Sequence, residues 1–162
     1  MAKLSDLLSK ETRKRMLYFY IAFLLLLSIS VTLMPFAFRF SNRNLILTYI
    51  SGTIFWIGLI GTIIVAIYIT YSRKHSKEFK AECLNHKQLG LIHFFQNLPA
   101  KICDISLFIS LICFLIVCIW FDETVFPFVF LSVLIFSFGM HCMLNGSNYL
   151  YINYEKRSEK ES

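Results

Sequence analysis

Four long, nearly uncharged apolar runs, residues 16–38, 45–71, 102–121 and 126–151, decide what this chain can fold into. Each reaches the roughly 18–20 residues that carry an α-helix across about 30 Å of hydrocarbon at 1.5 Å per residue. Lipid offers the backbone no hydrogen-bond partners, so such runs cross as helices. Composition closes off the soluble alternative. A chain of 162 residues that is 57% hydrophobic and 16% charged, with seventeen phenylalanines, holds more apolar surface than one soluble core of that size conceals. The fold expected is all-α: a polytopic membrane protein with one membrane domain over residues 1–162. Its four transmembrane helices form two antiparallel hairpins, because links 39–44 and 122–125 are too short to hold anything else. An interfacial cytoplasmic helix is expected in the central loop, residues 72–101.

Basic residues set the orientation. Fourteen of the sixteen lysines and arginines precede the first run, lie between the second and third, or follow the fourth; only Arg39 and Arg43 fall on the other side. The positive-inside rule then places both termini and the central loop in the cytoplasm, with the protein integral to the membrane, most simply the plasma membrane. Arg13, Lys14 and Arg15 before an apolar stretch imitate a signal peptide, but the run is too long and no small-residue cleavage site follows before Arg39. The net charge of +6 is therefore a topology signal. Without a nucleic-acid module beside it, no nucleic-acid partner is expected. None of the five cysteines falls in either external link, so no disulfide framework is expected.

Residues 1–15 read either as a short amphipathic helix on an anionic leaflet or as a solvated leader. In the first run Ser28, Ser30 and Thr32 can bond to their own backbone. The second run places Ser51, Gly58 and Thr62 on one helical face, the pattern of a close-packing seam within the chain or between copies. Charges in residues 72–88 continue that helix into solvent. Beyond them, residues 89–98 put Leu91, Ile92, Phe95 and Leu98 on one face, which predicts an in-plane interfacial helix ended by Pro99. It is expected as an anchor joining the hairpins, or as a docking platform.

The fourth run departs from the rest. Ser137, His141, Asn145 and Asn148 recur at i, i+4, i+8 and i+11 on one face. Unpartnered, such groups cost several kcal/mol each in hydrocarbon, so that face looks inward or into a wet cavity. Asp104 enters on the neighbouring helix, where Lys101 or water relieves its charge. Counting back through the short link sets it level with Leu144, within reach of Asn145 or Asn148. The arrangement is either a polar pocket for an ion, headgroup or small ligand, or a hydrogen-bond seam in which Gly139 and Gly146 allow close approach.

Other chemistry lacks its residues. His141 and Cys142 diverge by about 100° on a helix, and one histidine beside one cysteine falls short of the three or four protein ligands zinc takes. No paired aspartates, Cys-x-x-Cys or phosphate-cradling glycine loop occurs in the chain. No metal and no cofactor is expected. The expected function is that of a non-catalytic accessory, regulatory or immunity-type subunit. Its partners would be the lipid bilayer and a larger membrane protein, or copies of itself. A small oligomeric transporter or channel that uses the His141 face is the alternative, and a lipid-modifying enzyme built on Asp104, His141 and Asn145 a further one.

Overall fold

The computed structural model describes residues 10–37, 45–75, 94–95, 98–120 and 125–144. Among these residues the chain is helical, without strands, in four helices long and apolar enough to cross a membrane. They are α1 (Lys10–Pro35), α2 (Leu45–His75), α3 (Leu98–Trp120) and α4 (Phe126–Leu144). The shortest, α4, has 19 residues, about 28 Å at 1.5 Å per residue, still enough for the hydrocarbon core.

Helix propensity is not what selects these elements, since α2 is dense in isoleucine and threonine. The lipid-imposed need to pair every backbone group is. Hydroxyls obey the same rule: Ser28, Ser30 and Thr32 donate to the carbonyls of Leu24, Leu27 and Ile29 at 2.9, 2.6 and 2.7 Å.

The helices pack as an open row, in the order α2, α1, α4, α3. α1 lies against α2 and α4, and α3 lies against α4, with no other extensive packing among the described helices. The core therefore sits along α1 and α4, with Tyr20, Leu24, Leu27, Met140, Met143 and Leu144 at its centre. Gly58 of α2 stands where a methyl group would meet the α1 backbone at Leu27, and Gly139 of α4 stands over the Leu24 side chain. Gly139 thus admits α1, where α3 was the expected neighbour. Close approach is what lipid-embedded helices use in place of a hydrophobic drive.

α1 and α4 are also stitched by one hydrogen bond, Tyr20 Oη to the Gly139 carbonyl at 2.9 Å. Tyr20→Phe is expected to lower stability by about 0.6 kcal/mol, the average for interhelical bonds of this kind. Unfolding in mixed detergent micelles measures it, and a change above about 2 kcal/mol would exceed the range such bonds have shown.

Two boundaries differ from expectation. Residues 94 and 95 are not helical, and Phe95 has φ 61°, in the left-handed region. Leu98 and Pro99 open α3, and do not close a preceding helix. Proline fits there because the first helical turn leaves its N–H unpaired. The expected 89–98 helix therefore does not run through Phe95 to Leu98; Leu91 and Ile92 lie outside the described residues. The expected continuation of α2 past residue 71 is present as far as His75, the last described residue of that segment, whose ring stacks on Tyr71 with centroids 4.1 Å apart.

Candidate functional site

A polar pair sits inside the apolar row. α3 carries Asp104, wholly buried, and α4 carries His141, 4% exposed. His141 Nδ1 and Asp104 Oδ1 are hydrogen-bonded at 2.7 Å. The second carboxylate oxygen, Oδ2, accepts the Phe95 N–H at 2.7 Å. With its proton on Nδ1 the imidazole donates, and the carboxylate accepts on both oxygens. Further along the same helices, four residues from His141 on α4 and two from Asp104 on α3, Ser137 donates to Ser106 Oγ at 3.0 Å. Two polar layers therefore join α3 to α4.

Local sequence explains the arrangement. Ser137 and His141 are four residues apart on α4 and share one face. Asp104 and Ser106, two apart on α3, do not share a face by spacing, yet each reaches one of them. Asp104 is too deep to escape to water, and its charge selects the nearest donors. That selection reshapes the chain just upstream: the Phe95 N–H turns onto the carboxylate with its residue in the left-handed region, a conformation that costs of order 1–3 kcal/mol and must be held by its surroundings. Phe94 helps to hold it. Its ring stacks on His141 with centroids 4.5 Å apart, and it packs against Phe108 at 5.5 Å.

Asp104, Ser137 and His141 thus come together, whereas Asn145 and Asn148 lie outside the described residues. Asp104 is wholly buried and hydrogen-bonded to His141, one turn from the level that residue counting gave. Phe94, Phe95 and Ser106 complete the site, and only Ser106 carried a signal, as a serine on the Asp104 helix. The second expected group, Ser51, Gly58 and Thr62, does not join this site. Ser51 is 1% exposed and donates to the Thr48 carbonyl at 3.1 Å, while Thr62 donates to Gly58 at 2.7 Å.

No three His, Cys, Asp or Glu side chains converge as a metal would need, among the described residues. Cys103, Cys113, Cys118 and Cys142 are free thiols. What the geometry can do is hold α3, α4 and residues 94–95 in one register. Comparison with protein-family models, with curated proteins and with solved structures finds no match to the chain.

Proposed function

We propose that this chain is a non-catalytic integral membrane protein that works as an accessory, regulatory or immunity-type subunit by contacting a larger membrane partner. One observation carries the reading. Ile102, Ile105, Ile109, Ile112, Ile116 and Ile119 recur on α3 at alternating spacings of three and four residues, and all six are exposed, from 42% to 72%. Spacing that averages 3.5 residues keeps a single ridge turned towards one neighbouring helix, as in a coiled-coil seam. Because α3 ends the row, nothing in the chain covers that ridge among the described residues. The buried hydrogen bond between Asp104 and His141 supports a structural role for these polar groups.

The rest of the reading follows from charge and link length. α1 with α2, and α3 with α4, form two antiparallel hairpins, with both termini in the cytoplasm and the chain in the plasma membrane. The segment upstream of Phe94, with Leu91 and Ile92, is a membrane-surface anchor between them. A photo-crosslinking residue at Ile109 or Ile112, in native membranes, is expected to give a discrete adduct with a larger membrane protein. The same residue at Ile60 on α2 is expected to give none. Lipid adducts alone at all three positions would end the proposal, and an adduct of twice this chain's mass would replace it with the oligomeric transporter.

A further inference from the structure

Between α3 and α4 lies an apolar groove of about 340 Å³, walled by Phe94, Phe108 and Leu111 on one side and Leu134 and Phe138 on the other. Its size falls at the lower end of the roughly 300–1,000 Å³ of small-ligand sites. No polar side chain lines it. Its occupant must therefore offer apolar surface to both walls, as an acyl chain does.

The charge at its end narrows the class. Lys101, exposed in the first turn of α3, is seven residues before Phe108 and ten before Leu111, so it shares their side of the helix. It stands about 10 Å and 15 Å from them along the axis. Among the described residues the nearest carboxylate along the helix, Asp104, is wholly buried in the α4 interface, hydrogen-bonded to His141 and the Phe95 N–H. The exposed charge at the groove's end, among the described residues, is therefore the Lys101 ammonium. An apolar slot within a membrane-spanning pair, ending at a lysine on the boundary, complements a molecule with an anionic head and a long acyl tail.

We propose that the groove binds one acyl chain of an anionic phospholipid, with Lys101 holding the phosphate. Phe94 is the wall at the Lys101 end. Because the same ring stacks on His141, occupancy of the groove presses Phe94 against the polar pair and steadies residues 94–95. The site is independent of whether α3 meets a protein partner, since the isoleucine ridge lies on the opposite side of Lys101 from Leu111.

The test uses the full chain with Phe138→Trp as reporter and Trp56 and Trp120 changed to phenylalanine. The protein is placed in phosphatidylcholine bilayers containing either brominated phosphatidylglycerol or brominated phosphatidylcholine. Phosphatidylglycerol is expected to quench the reporter indole's emission with about fivefold higher relative affinity, the factor that one lysine contributes near an anionic surface. Lys101→Gln should bring the ratio to about one. Trp56 alone, on exposed α2, should show no preference. Equal quenching by both lipids with Lys101 in place would overturn the proposal, as would a ratio unchanged by Lys101→Gln. So would the absence of quenching, the sign of a protein segment in the groove. If Phe138→Trp does not fold, native mass spectrometry of the unaltered chain from equal lipid mixtures decides. Retained phosphatidylglycerol lost in Lys101→Gln supports the site, and no selective retention overturns it.

Discussion

His141→Ala is expected to lower stability by about 3–5 kcal/mol, the cost of removing one member of a buried, hydrogen-bonded pair and leaving the other in place. Asp104 is wholly buried, and the histidine is one of the two hydrogen-bond partners shown for its carboxylate. The alanine also removes the surface on which Phe94 stacks. Asp104→Ala is expected to be milder, about 1–3 kcal/mol, because it leaves unpaired donors and no buried charge. The paired substitution Asp104→Leu with His141→Leu restores an apolar interface and should cost less than His141→Ala alone. Unfolding in mixed micelles across this cycle measures all three. If the pair is a clasp, the doubly apolar chain keeps its crosslinks to the partner. A doubly apolar chain that folds as well as the parent yet loses every partner adduct would show that the pair's polarity itself serves function.

The four helices were legible because lipid leaves little freedom: a crossing segment must be long, apolar and helical, and composition alone reveals that. The site was legible in part, for a related reason. A polar side chain in such a run must face inward, so the spacing of Ser137 and His141 marks a face, and the short link 122–125 fixes the depth of Asp104 on the next helix. Depth arithmetic stops at one helical turn, however. Which groups on α4 meet Asp104 depends on helix rotation, which no residue count supplies. The order of the row was not legible at all. Tyr20 and Gly139 are 119 residues apart, and the pattern of α1 gives no hint that it packs on α4 as well as α2. Residues 94 and 95 show the opposite failure. Their amphipathic spacing favours a helix, but a buried carboxylate nearby overrides that local preference for the Phe95 N–H.

Gly58→Val is expected to cost more than the alanine substitutions at Gly52, Gly58 and Gly139. A methyl group there would lie 2.6 Å from the Leu27 nitrogen, 2.9 Å from its Cα and 3.0 Å from the Phe23 carbonyl oxygen, all backbone atoms of α1. Backbone cannot rotate aside, so the two helices must separate, and every contact along α1 and α2 loosens together. Gly58→Ala alone should cost about 1–3 kcal/mol, the usual penalty for overpacking, and valine more. Gly139→Ala meets first the Leu24 side chain, which has other rotamers, and should cost less. Gly52→Ala meets nothing within 4 Å and should be neutral or slightly stabilising, since alanine favours a helix over glycine by about 1 kcal/mol. Unfolding of the four variants in mixed micelles should rank them Gly52→Ala, Gly139→Ala, Gly58→Ala, Gly58→Val from mildest to worst. The crosslink from Ile109 to a partner should survive in any Gly58 variant that still folds, because α2 and α3 occupy opposite ends of the row. Loss of that adduct in a folded Gly58 variant would instead place the α1–α2 seam within the partner interface.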